Sequence, residues 1–280
     1  MLVADAHSQI RIPAWMANRG MAPFFCPECR KEVTLHQGLI RVHHYKHKPP
    51  VDCPYGLGES DLHWRAKRGI YDALCKESTV RNVYLEHRIE GTRPDVYFEQ
   101  GGARIAIEVQ KTGQTLDQID FRTRRYTEIG INVLWVMPDN EPKWIPDEDG
   151  PICRTQVWQD YLHTMYFGRI YFWQHDAVVR PAHLGKFYRD VPAGNWVEDY
   201  EDQIGEELSE TNWYQENYEG ADYGGGRRLV KTYKRVSWLG RNLDIANDFR
   251  PSSRKHRLCP RYSVPACNIW VDNNKKWWKD

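Results

Sequence analysis

The stretch RPDVYFEQGGARIAIEVQKT, residues 93 to 112, sets Gly101-Gly102 between two runs that alternate apolar and polar residues. Gly-Gly is a two-residue hairpin turn, because both turn positions need a positive φ that glycine adopts at no steric cost. That turn fixes the pairing. Gln100 faces Ala103, Glu99 faces Arg104, Phe98 faces Ile105 and Val96 faces Ile107. Asp95 then falls opposite Glu108. Period two puts Val96, Phe98, Ile105, Ile107 and Val109 on one face, the core. The other face carries Arg93, Asp95, Tyr97, Ala106, Glu108 and Gln110. Two carboxylates opposite each other on a sheet repel. A hard divalent cation such as Mg²⁺ between them removes the conflict. The plainer alternative is a solvated acidic face that Arg93 neutralises.

The flanking sequence builds an α/β layer with a mixed sheet. From Glu59 to Lys76, Leu62, Ala66, Ile70, Ala73 and Leu74 recur at helical spacing. Glu59, His63 and Lys67 form one polar stripe on that helix. A strand is expected near Val80 to Glu86. A second helix runs from about Leu116 to Ile129, with a Thr115/Gln118 capping-box pattern and Gly130 as its C-terminal stop. Arg122 and Tyr126 share one stripe of it, and Arg122, Arg124 and Arg125 suit phosphate as well as they suit solvent. INVLWVM (131 to 137) reads as a strand covered on both faces. The order is helix, three strands, helix, strand. Residues 156 to 173 read as a helix running into a strand, and residues 2 to 12 as a short hairpin.

Upstream lies FFCPECRKEVTLHQGLIRVHHYKHKPPVDC. Cys26-x-x-Cys29 sets two thiolates at the spacing for tetrahedral zinc, and His47 with Cys53 completes four ligands. His44 competes with His47, and His36 and His43 are further candidates. Four protein ligands leave no open position for water, so this Zn²⁺ is expected to be structural. Seven cysteines, an odd number with three of them clustered among histidines, fit a reducing, cytoplasmic setting better than a disulfide framework.

Charge excludes little globally, at +1 overall, but it is unevenly spread. Residues 191 to 226 hold ten Asp and Glu and no Lys or Arg. Residues 227 to 280 hold fourteen Lys and Arg against four Asp. An acidic segment followed by a basic, nucleic-acid-facing tail is one reading, and two solvated or mutually docked surfaces the other. No run of eighteen apolar residues marks a membrane span, and no basic then apolar stretch marks a secretory leader.

Taken together, FFCPEC, HHYKH, ESDLHWRAKRGIYDAL, RPDVYFEQGGARIAIEVQKT, FRTRRYTEIGINVLWVM and YFGRIYFW resemble the competence protein CoiA family, across roughly residues 1 to 175. Within them RPDV…IAIEVQKT is similar to the PD-(D/E)xK nuclease motif. The resemblance implies a small zinc-ribbon-like β subdomain (1–55), a restriction-endonuclease-like αβββαβ core (56–175) and a C-terminal region of unknown fold (176–280). It implies a metal-dependent nuclease acting on nucleic acid, with DNA the expected partner. Asp95 and Glu108 would hold Mg²⁺ or Mn²⁺, Glu59 and His63 would be the helix contribution, and Arg122 and Tyr126 would support the site or the scissile phosphate. Gln110 stands where most such enzymes have lysine, a variation that the family's own pattern shares. Lys67 or Lys111 would then supply the missing positive charge toward nucleic acid. The competing expectation is an accessory module that binds DNA without cutting it. A ββα-metal site built on the histidines is disfavoured, because the cysteine cluster claims them.

Overall fold

The structure, a computed structural model, describes residues 1–6, 10–50, 52–53, 55, 59–110, 114–138, 144–191, 226–258 and 262–273. The chain divides into two units. The larger comprises Met1–Pro142, Val157–His183 and Trp238–Asp280, the smaller Lys143–Gln156 and Leu184–Ser237.

The larger unit opens with a five-stranded antiparallel sheet in the order β2-β1-β3-β4-β5. Its strands are β1 (Val3–Ala6), β2 (Arg11–Pro13), β3 (Phe24–Phe25), β4 (Glu32–His36) and β5 (His44–His47). The expected hairpin over residues 2 to 12 is the β1/β2 pair. In β4 the buried residues alternate, Val33 and Leu35 turning inward onto Phe24, Tyr45 and Ala4. So small a core, which also takes in Cys26, Cys53 and Tyr55, favours a covalent or metal staple.

The main sheet follows the expected order. Helix α1 (Asp61–Leu74) buries Trp64, Ala66, Lys67, Ile70 and Leu74. Strands β6 (Val80–Leu85), β7 (Val96–Gln100) and β8 (Ala103–Val109) are antiparallel neighbours. The β7/β8 register is the one the Gly-Gly turn dictates, Val96 opposite Ile107 and Gln100 opposite Ala103. Gly101 (φ 55°) and Gly102 (φ 79°) both take the left-handed conformation that this turn needs. Helix α2 (Leu116–Glu128) starts with the Thr115/Gln118 capping box and is followed by Gly130 at φ 70°. It carries the chain over to β9 (Ile131–Met137), which pairs parallel to β8, the connection a parallel pair requires.

Two differences from the sequence reading matter. The second face of the hairpin is buried as well, with Tyr97, Ala106 and Glu108 each 3% exposed or less. Moreover, residues 238–273 do not form a body apart. Cys267–Asp272 runs beside Val133 of β9, and Ile170–His175 runs beside Val136 and Met137 of the same strand. Buried Asp272 secures this return, ion-paired to Arg169 and accepting the Tyr171 hydroxyl at 2.8 Å.

In the smaller unit Ile152–Arg154 pairs antiparallel with Tyr233–Arg235 over a cluster of Ile152, Phe187, Val230 and Tyr233. Arg235 is ion-paired with Asp147 at 2.8 Å. Most of the acidic segment, 192–225, lies outside the described residues. Among the described residues no helix is long and apolar enough to cross a membrane.

Candidate active site and metal centre

Helix α1 begins two residues after Glu59. Its N-cap, Ser60, is extended and accepts the backbone N–H of His63 at 3.3 Å, and the Glu59 carboxylate turns back along the helix. Glu59 Oε2 takes the Trp64 indole N–H at 2.6 Å, and Oε1 lies 2.5 Å from Lys67 Nζ. The Lys67 side chain is fully buried, and its ammonium also pairs with Glu86 and lies 3.5 Å from Asp95 Oδ1. Asp95, just before β7, accepts the backbone N–H of Val109 at 2.8 Å through Oδ2, with His63 Nε2 3.5 Å from the same oxygen.

The electrostatics follow from this packing. Burial drives the Lys67 ammonium toward neutrality, but Glu59, Glu86 and Asp95 outweigh it and hold the amine charged. Burial likewise pushes Asp95 and Glu59 up. The Lys67 charge overrides it, holding Asp95 well below the carboxylate range and Glu59 at about 2. Three carboxylates gather around one ammonium, and the amino-terminal nitrogen of Met1 lies 3.4 Å from Glu59 Oε2. Glu59, His63 and Asp95 each offer a ligand atom, all within 4.8 Å of one another. The side chains of His63 and Asp95 are each 18% exposed, with His63 Nε2 itself buried against Asp95. Carboxylate oxygens with one imidazole suit Mg²⁺ or, better, Mn²⁺.

Glu108 is held differently. It is 1% exposed, accepts the Tyr126 hydroxyl through Oε1 and pairs with the Arg122 guanidinium through Oε2. Arg122 in turn lies 5.3 Å over the Trp135 ring. Burial raises the Glu108 carboxyl to about 7 against the opposing pull of Arg122, and the negative charge of Asp95 adds to the rise. The β7/β8 ladder ends at Val96 opposite Ile107, so Asp95 reaches Glu108's strand through the Val109 N–H rather than through a ladder pair. Gln110, 5% exposed, follows β8 and donates its backbone N–H to Val136 at 2.8 Å.

Two nucleic-acid-facing expectations are corrected by burial. Lys67 is enclosed and committed to carboxylates, so it does not meet phosphate. Tyr126, 1% exposed, spends its hydroxyl on Glu108. Arg122 keeps 31% of its side chain exposed. Lys111 lies outside the described residues. Sequence reasoning missed Glu86 and Tyr55. Glu86 is 2% exposed and accepts the Tyr55 hydroxyl at 2.6 Å, and no spacing pattern marks either residue.

In the N-terminal sheet, Cys26, Cys29, His47 and Cys53 bring one ligand atom each within 4.8 Å of one another. The turn between β3 and β4 is closed by the Cys26 N–H to the Lys31 carbonyl at 2.8 Å, with Arg30 at φ 60°. Cys29 Sγ is 3.3 Å from His47 Nε2. His44 turns away, stacked on Trp64 at 4.2 Å with its Nδ1 2.9 Å from the Val42 carbonyl. Burial pushes the Cys26 thiol up to about 12, so a thiolate there needs a cation to hold it. Three sulfurs and an imidazole fit a closed tetrahedral site.

Two families match successive segments of the chain. The family described as competence protein CoiA, N-terminal domain, matches residues 7–56, and that described as competence protein CoiA, nuclease-like domain, matches residues 59–165. Competence protein CoiA of Bacillus subtilis (strain 168) is 31% identical over 117 residues, covering 41% of this chain and 31% of that protein. No solved structure matches. With its nuclease-like segment beginning at Glu59 and its N-terminal segment enclosing the cysteine cluster, the chain belongs to the competence protein CoiA-like family.

Proposed function

We propose that the chain is a metal-dependent nuclease hydrolysing phosphodiester bonds of DNA, on a restriction-endonuclease-like core, in DNA uptake, recombination or defence and in a reducing, cytoplasmic setting. The convergence of Glu59, His63 and Asp95 on one point carries the reading. A divalent cation bound there, Mg²⁺ or Mn²⁺, supplies Lewis acidity at the scissile phosphate and at an attacking water. Glu59, His63 and Asp95 hold it, and Lys67 keeps the two carboxylates fixed and ionised. Glu108, which the resemblance makes a metal ligand beside Asp95, lies outside this group, its two oxygens taken by Tyr126 and Arg122. Arg122 offers its exposed guanidinium edge to phosphate. Gln110 orients a water but cannot deprotonate it. Cys26, Cys29, His47 and Cys53 hold a structural Zn²⁺.

One observation favours a second reading, an accessory protein that binds DNA without cutting it. Gln110 replaces the motif lysine, and Lys67 is too enclosed to stand in. Full-length protein with Mg²⁺ or Mn²⁺ and linear DNA, compared with Asp95→Ala and Glu108→Ala, separates the two. Cleavage by wild type alone is expected. Equal cleavage by all three removes the assignment, and metal-independent DNA binding without cleavage favours the accessory role.

A further inference from the structure

Glu86 follows β6 directly and sits at φ +48°, in the left-handed region where a residue with a side chain is disfavoured. Backbone preference alone calls for Gly or Asn there. A glutamate fits there when its carboxylate makes contacts that offset the strain. That carboxylate is 2% exposed and fully engaged. Oε1 pairs with the Lys67 ammonium, while Oε2 accepts the Tyr55 hydroxyl at 2.6 Å and the Leu2 N–H at 2.9 Å. Its backbone N–H donates to the Asp95 carbonyl at 3.0 Å. Tyr55 lies two residues beyond Cys53, and the Arg93 guanidinium covers its ring at 3.9 Å.

We infer that Glu86 is a positioning residue for the divalent-cation centre, drawing the buried Lys67 ammonium away from Asp95 and, through Tyr55, tying the centre to the cysteine cluster. The argument is one of charge. Left with Glu59 and Asp95 alone, the Lys67 ammonium is an internal counterion for both and competes with the cation. With Glu86 as a third partner, Lys67 stays 3.5 Å from Asp95 while contacting Glu59 and Glu86 closely. Asp95 and His63 then keep ligand capacity for the cation. The inference rests on the metal-centre reading above and adds to it a residue that touches neither cation nor substrate.

The test uses the full chain and Mn²⁺ alone as probe, with affinity read by calorimetry and by the paramagnetic signal of free Mn²⁺. Glu86→Gln keeps the shape and an acceptor for Tyr55 but loses the charge. Its Mn²⁺ affinity is expected to fall about 10- to 100-fold, as when an outer partner of a metal ligand is removed, with zinc content and circular dichroism unchanged. Tyr55→Phe removes one donor to Glu86 and is expected to weaken Mn²⁺ about three- to tenfold, roughly one net hydrogen bond. Wild-type affinity in a folded Glu86→Gln overturns the inference and leaves the metal centre standing. If Glu86→Gln does not fold, Tyr55→Phe decides, and unchanged affinity there overturns it. A wild-type chain that binds no Mn²⁺ removes the metal centre and this inference with it.

Discussion

Lys67 Nζ lies 2.5 Å from Oε1 of Glu59, eight residues earlier in the chain, and this contact is what turns a helix into one wall of a site. A lysine with no exposed surface is costly to bury alone. Here it is matched by acids from the chain before α1, the end of β6 and the start of β7. Three separate elements are thereby pinned at one point, and the acids that face solvent are held ionised and in place.

Lys67→Met therefore removes the centre of a buried ion cluster and leaves its carboxylates to repel. Breaking such a cluster from one side costs about 3–5 kcal/mol. Urea unfolding in metal-free buffer checks this, and a loss under about 1 kcal/mol contradicts the account. Excess Mn²⁺ should raise the melting temperature of the variant more than that of the wild type.

Glu108 predicts a pH dependence of opposite sign to that of an ordinary salt-bridged acid. Its folded value of about 7 lies above the usual 4.5, so the folded chain binds the proton more tightly than the unfolded chain does. That contribution is fully present below about 4.5 and is lost as pH rises through about 7. Glu108→Gln removes the penalty. Without divalent cations the variant should melt a few degrees above wild type at about pH 8 and close to it near pH 4, while losing cleavage. A variant less stable than wild type at about pH 8 refutes the assignment.

The cysteine cluster predicts a metal requirement for the N-terminal sheet. Elemental analysis should find zinc in wild type and in His44→Ala, and none in Cys29→Ser or His47→Ala. Chelation should unfold β1–β5 first, because metal binding in so small a core is folding free energy. Zinc retained in His47→Ala and lost in His44→Ala would reverse the choice of ligand.

Much of this is legible in the sequence, for identifiable reasons. The β7/β8 register follows from a turn that only glycine-like residues make, and the start of α2 from a local capping box. The sequence leaves His44 competing with His47, and the structure groups His47 with the cysteines and stacks His44 on Trp64. Helical period places Lys67 beside the apolar face but cannot show that Glu86, after β6, and Asp95, before β7, meet it there. Glu86 and Tyr55 carried no signal at all. Their pairing spans 31 positions and depends on tertiary contact alone.

The register also supplies the sharpest test of the hairpin. Side chains alternate with period two, so inserting one glycine between Gly101 and Gly102 sends every residue of one strand to the opposite face. Asp95 then loses the Val109 N–H, and Val96, Phe98, Ile105 and Ile107 no longer share a core. The insertion should cost several kcal/mol, on the scale of about 2–5 kcal/mol for each large apolar side chain displaced, and abolish Mn²⁺ binding. Gly101→Asn leaves an Asn-Gly turn of the same type and should change stability by no more than about 0.5 kcal/mol, with Mn²⁺ affinity intact. Equal tolerance of both changes would mean that the turn does not set the register, and that the placement of Asp95 beside β8 has another cause.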